Sequence, residues 1–176
     1  ILHLNGYKIA GPTILSRMPR EELLALFEGY GYKPRVVEGH EPENMHQQMA
    51  QALDESWAEI AAIRQSDGEE RPKWPMIILI SPKGWTGPKE LDGKPVEGTF
   101  RSHQVPLDAV RQRPDELAAL EAWMRSYRPE ELFDANGRLH PEIAELAPVG
   151  NARMSANPIA NGGVLLRNLE IPDFRN

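Results

Sequence analysis

The run Met76-Ile77-Ile78-Leu79-Ile80 limits what this chain can become more than any other stretch. Its residues are all apolar, and Ile77, Ile78 and Ile80 are β-branched. In an extended strand successive side chains point to opposite faces, so such a run needs apolar cover above and below. That is the condition of a strand inside a parallel sheet with helices on both sides. Two further strands are expected at 1–4 (ILHL) and 33–38 (KPRVVE), and segments of helical spacing separate all three. The order strand, helix, strand, helix, strand predicts an α/β fold, a parallel sheet with flanking helices joined by right-handed crossovers.

The first helix is expected over 19–30. Pro19 suits a first turn, Glu21 and Glu22 favour the positive helix end, and Leu23, Leu24, Phe27 and Tyr30 recur at helical spacing. The second is expected over 43–65, where Met45, Met49, Leu53, Trp57 and Ile60 form an apolar stripe. A third is expected from Pro114 to Tyr127, followed by short helical patterns at Pro129 and Pro141. Residues 149–176 are rich in Asn, Gly and Pro and read as an extended linker, with a short strand at Val164–Leu166.

Composition narrows the function. The 176 residues, 40% hydrophobic, suffice for one domain with a sizeable core. A net charge of −6 argues against nucleic acid or an anionic membrane as the main partner. The absence of cysteine excludes disulfides and thiolate metal sites. With no leader pattern and no apolar run near the ~18 residues of a membrane span, a cytoplasmic protein is expected. The chain opens without methionine in a strand-like run, as a piece of a larger protein would. No Walker A, GxGxxG, HExxH or GxSxG pattern occurs. His3, His40 and His46 lack metal-ligand spacing and read as surface or packed histidines.

Chemistry is expected where the strands end. The central run stops at Ser81-Pro82 and enters a long polar segment punctuated by Gly84, Gly87, Pro88 and Gly93. Open α/β sheets bind ligands outside the carboxyl ends of their strands, and long loops there are often functional. Lys83 and His103 are the chemical groups of this segment, and Asn5-Gly6 forms a turn after the first strand. The competing reading is a surface loop with a solvated Lys83, an ordinary His103 and an Asn-Gly turn without a ligand.

Several segments carry a resemblance. HLNGYKIAGPT (3–13), YGYKPRVVEGHEP (30–42), RPKWPMIILISPKGWTGPKELDGKPVEGTFRSHQVPL (71–107), SYRPEELFD (126–134) and MSANPIANGG (154–163) together resemble the thiamine-diphosphate-dependent phosphoketolases. The resemblance implies that residues 1–148 form the C-terminal part of a transketolase-like diphosphate-binding domain, and 149–176 a linker toward the next domain. It implies an enzyme that cleaves xylulose 5-phosphate or fructose 6-phosphate with inorganic phosphate, giving acetyl phosphate, an aldose phosphate and water. Thiamine diphosphate and magnesium are the implied cofactors, and a homodimer the implied assembly.

Carried onto matching positions, the Asn5 side chain and the Tyr7 carbonyl are implied magnesium ligands. Asn5, Gly6, Tyr7, Lys83 and His103 are implied cofactor contacts, and Lys83 and His103 the implied catalytic pair. The third metal ligand, an aspartate, lies upstream of the matching stretch in the family. Gly11, Ser155 and Ile159 depart from the family's usual asparagine, glycine and histidine. The 176 residues by themselves are expected to make no acetyl phosphate. The alternative is an inactive structural fragment or an interaction module derived from a transketolase-like domain.

Overall fold

The computed structural model describes residues 1–9, 11–68, 70–103 and 106–156. In chain order the strands are β1 (Leu2–Leu4), β2 (Tyr7–Lys8), β3 (Gly11–Pro12), β4 (Tyr32–Glu38), β5 (Trp74–Ile80), β6 (Glu90–Leu91) and β7 (Lys94–Pro95). The helices are α1 (Arg20–Gly29), α2 (Pro42–Gln65), α3 (Pro114–Ser126) and the single turn α4 (Pro141–Ala144). The sequence expected the three long-range strands and the first three helices, with boundaries shifted by one or two residues.

β1, β5 and β4 form one parallel sheet in that spatial order, so the apolar run lies in the middle. Its alternation fills both faces. Ile77 and Leu79 join Val37, Met45, Met49 and Ala52 on the α2 side. Met76, Ile78 and Ile80 join Leu4, Leu23, Phe27 and Val36 on the α1 side. Ile78 and Val37 are the most deeply buried large side chains. The prolines obey the pairing. Pro34 lies in β4, which has a single sheet partner. Pro75 precedes the part of β5 that pairs on both sides, which begins at Ile78 opposite Leu2. A missing N–H is harmless in either place.

The apolar stripe of α2 requires correction. Met45, Ala52 and Ser56 are buried, whereas Leu53 and Trp57 are 49% and 71% exposed. A step of four residues overshoots a turn by about 40°, so a row of such steps winds off the buried face within three steps. The side facing the sheet keeps the mean helical period and takes small residues, Ala52 and Ser56. The Ser56 hydroxyl donates to the Ala52 carbonyl at 2.6 Å, which satisfies it without leaving the helix. Tyr30, expected on the core face of the first helix, caps α1 and is exposed, stacking edge-on against Phe27.

The outer rims of α2 and β4 are joined by charge. Arg35 binds Glu59 at 2.6 Å and Glu55 at 2.8 Å. Hydrogen bonds from Arg35 and Lys33 pull the Glu59 carboxyl down to about 2. No helix among the described residues is long and apolar enough to cross a membrane.

The chain divides into two units, Ile1–Trp123 and Met124–Asn176. In the second, the Asp134 carboxylate accepts the backbone N–H groups of Asn136 and Arg138, each at 2.8 Å, and closes the turn between Phe133 and Leu139. These bonds hold its carboxyl below the usual range, that of Arg138 most. The expected strand at Val164–Leu166 lies outside the described residues.

Candidate active site

Leu4 and Glu38 both stand level with Ile80 in the sheet register, so three loops leave one edge together. Asn5 and Gly6 follow β1, Gly39 and His40 follow β4, and Ser81 and Pro82 follow β5. All of them line a cavity of about 610 Å³, with Ser16 and Arg20 from the segment that opens α1. The cleft thus lies where open α/β sheets place ligands, outside the carboxyl ends of parallel strands. It mixes apolar strand ends with polar loop groups. Arg20 spans it to Glu38 at 3.1 Å, and Ser81, buried at its floor, hydrogen-bonds His3 at 2.7 Å.

The first loop is a self-closed turn. The Tyr7 N–H donates to Asn5 Oδ1 at 3.1 Å. This Asx-type bond explains asparagine at a strand end. Gly6 takes φ +87°, which favours glycine, and the space a side chain would fill there is open. Its carbonyl accepts Thr13 N–H at 3.0 Å and the Ser16 hydroxyl at 3.2 Å. The β2–β3 hairpin completes the loop.

The second loop returns to the sheet edge. Lys83 is buried at 8% exposure, and its ammonium donates to the Tyr7 carbonyl at 3.5 Å, a weak bond. Its own carbonyl accepts Gly98 N–H at 2.8 Å, which folds the β6–β7 hairpin back toward it. Ser102 packs against Gly84. His103 ends the short helical turn Phe100–His103 and is exposed.

Two indoles pin this loop. Trp85 Nε1 donates to the His40 carbonyl at 2.7 Å, and Trp123 Nε1 to the Thr86 carbonyl at 3.0 Å. Arg113 clamps the hairpin tip, binding Asp92 through both terminal nitrogens at 3.0 and 2.8 Å and Glu116 at 2.9 Å. Its guanidinium holds the Asp92 and Asp115 carboxyls below their ordinary range. Buried Glu116 also accepts Ala109 N–H at 2.9 Å, tying the segment just before α3 to that helix.

The sequence-expected residues therefore divide. Asn5 and Gly6 line the cleft. Tyr7 and Lys83 meet beside it, and the solvated Lys83 of the competing reading does not hold. His103 follows Ser102, which packs on Gly84; it is exposed and does not line the cleft itself. His40, Ser81 and Arg20 do line it, although no sequence motif selects them. Their signal is topological, since His40 and Ser81 each follow a strand that ends level with the others.

The turn after β1 offers two oxygens, and each already accepts a hydrogen bond, Asn5 Oδ1 from Tyr7 N–H and the Tyr7 carbonyl from Lys83. Asn5 Oδ1 and the Tyr7 carbonyl are neutral oxygens on one turn, the kind magnesium accepts. Among the described residues no cluster of three or more His, Cys, Asp or Glu could hold a metal. An anionic ligand would thus have to come from outside this set. The open backbone at Gly6 and the cationic side chain of buried Lys83 suit an anionic ligand.

A family model described as the XFP N-terminal domain matches residues 1–165. The chain is 61% identical over 180 residues, all of its length, to a probable phosphoketolase 2 of Nostoc sp.. It is 60% identical over 179 residues to a probable phosphoketolase 2 of Rhizobium meliloti, covering 99% of the chain. It is 59% identical over 180 residues to a probable phosphoketolase of Mycobacterium avium, again over its full length. It spans 23% of the first two relatives and 22% of the third.

Proposed function

The chain belongs to the phosphoketolase family, and from that membership we propose that it is part of an enzyme cleaving xylulose 5-phosphate or fructose 6-phosphate with inorganic phosphate. The products are acetyl phosphate, an aldose phosphate and water. The observation that supports this most is the buried Lys83, drawn to the Tyr7 carbonyl beside the Asn5 turn at the end of three parallel strands. Among the described residues the ammonium of this buried lysine has one weak hydrogen bond, which suits it to an arriving phosphate.

In this reading residues 1–148 are the C-terminal part of the diphosphate-binding domain, and 149–176 lead toward the next domain. Thiamine diphosphate, when bound, supplies the carbanion chemistry of the carbon–carbon cleavage. Asn5 Oδ1 and the Tyr7 carbonyl would hold magnesium at its diphosphate, and Gly6 lets the backbone come close. Lys83 neutralises diphosphate or sugar-phosphate charge. His103, exposed on its turn, moves protons at substrate hydroxyls. The intact enzyme is a cytoplasmic homodimer.

The test uses the full-length parent protein supplied with thiamine diphosphate, magnesium, phosphate and each ketose phosphate. Acetyl phosphate should form, and His103→Ala should cut turnover at least about a hundredfold with an unchanged fold. Turnover near normal in His103→Ala removes the role given to that histidine. No acetyl phosphate from either ketose removes the reading.

A further inference from the structure

We propose that Gly84 is a positioning residue, the seat on which Ser102 rests, and that this contact sets the separation of Lys83 from His103. The proposal rests on the catalytic roles given above to those two residues. A Cβ at Gly84 would overlap the Ser102 Cβ, well inside van der Waals contact, and lie 2.9 Å from its hydroxyl and 3.8 Å from its Cα. The obstructing atom is fixed to the backbone, so no side-chain rotation removes the overlap. Gly84 joins Lys83 directly, and Ser102 joins His103 directly. One contact therefore ties together two groups twenty residues apart in sequence.

Neither side yields easily. Ser102 bonds the Thr99 carbonyl through its hydroxyl at 2.7 Å, and Thr99 N–H bonds the Val96 carbonyl at 3.1 Å. Val96 is buried, and its N–H bonds the Lys89 carbonyl at 2.9 Å. On the other side the Gly84 carbonyl accepts Gly87 N–H at 2.9 Å, and Trp85 is anchored through its indole to His40. A side chain at Gly84 must push the Phe100–His103 turn away from Lys83.

Gly84 has φ +71°, so any L-residue there is also strained. Gly93, in the same loop, has φ +68° and nothing within 4 Å of a built Cβ. It carries the strain without the seat and is the natural control.

The experiment compares Gly84→Ala, Gly93→Ala, Ser102→Val and the double variant Gly84→Ala/Ser102→Gly in the full-length parent enzyme. Ser102→Val crowds the seat from the other side and serves if Gly84→Ala does not fold. Crystal structures of the cofactor-free variants give the position of the 100–103 turn, and kinetics give kcat and KM for the ketose phosphate.

Gly84→Ala and Ser102→Val should displace the turn and lower kcat at least about tenfold, with KM changing much less. Gly93→Ala should stay within about twofold, the behaviour of an open surface site. Removing the Ser102 Cβ in the double variant should return the turn and recover most of the lost kcat. An unmoved turn, an equal loss in Gly93→Ala, or no recovery in the double variant overturns the seat. A parent protein without acetyl phosphate activity sinks the functional reading instead, while the turn's position still decides the contact.

Discussion

Replacing Lys83 with methionine should strengthen the fold and weaken ligand binding. Lys83 is 8% exposed, and the Tyr7 carbonyl lies 3.5 Å from its ammonium. Taking an ammonium out of water costs several kcal/mol before its partners repay any of it. One long bond to a neutral carbonyl repays little. Methionine keeps most of the packed stem and removes the charge. Part of the ammonium's cost is relieved by residual hydration, so the cofactor-free enzyme should gain about 1 kcal/mol of unfolding free energy. Binding should move the other way. A hydrogen bond to a charged group contributes about 1.5–3 kcal/mol, which corresponds to a Kd weakened roughly ten- to hundredfold.

Urea unfolding of the cofactor-free enzyme reads the first quantity. Titration with thiamine diphosphate and magnesium, together with KM for the ketose phosphate, reads the second. A Lys83→Met enzyme that is less stable than wild type would show that Lys83 serves the fold. Unchanged cofactor affinity and unchanged KM would show that no anion meets it.

Asn5→Ala in the intact enzyme should weaken magnesium-dependent cofactor binding several-fold or more, as followed by titration, since it removes both the proposed ligand oxygen and the acceptor of the Tyr7 N–H. Glu59→Gln should cost about 1 kcal/mol, because Glu59 bonds both Arg35 and Lys33 at a partly solvated rim. The folded Glu59 carboxyl is held near 2, below its ordinary value of 4.5, so its contribution is present above about 4.5 and lost as pH falls toward 2. Urea midpoints at descending pH should therefore fall less steeply in Glu59→Gln than in wild type. Ile78→Ala should cost about 2–5 kcal/mol at its fully buried site. Trp57→Ser should stay within about 0.5 kcal/mol, and a larger loss would return Trp57 to the core.

The Ile78 and Trp57 pair separates what the sequence could say about packing from what it could not. A strand's period of two does not drift, so Met76–Ile80 fixed both faces of β5 correctly. A helix stripe drifts, and an apolar residue four positions on earns no place in the core by type alone. Ala52 packs with Val37 of β4 and Ile77 of β5, and Ser56 is buried one turn on, which depends on the partner surface. The Arg113 clamp is unreadable for a related reason. Asp92 lies 21 residues from Arg113, and the hairpin that brings it near is set by tertiary closure.

The cleft shows the same division more sharply. Asn5 and Lys83 were readable because each stands just past a strand that composition identifies. Their meeting through Tyr7 was not, because it needs β1 and β5 to be neighbours although β4 lies between them in sequence. The chain order alone allows β1 to neighbour β4 instead. That arrangement would put β4 in the middle and place Glu38 and Gly39, not Ser81 and Lys83, beside the Asn5 turn. The middle position goes to the most continuously apolar strand, since only that strand is covered on both faces and both edges. The run from Met76 to Ile80 meets that condition, whereas β4 carries Lys33, Arg35 and Glu38. The apolarity of one strand thus decides which loop reaches the turn after β1, and with it which cation stands beside the candidate metal ligands.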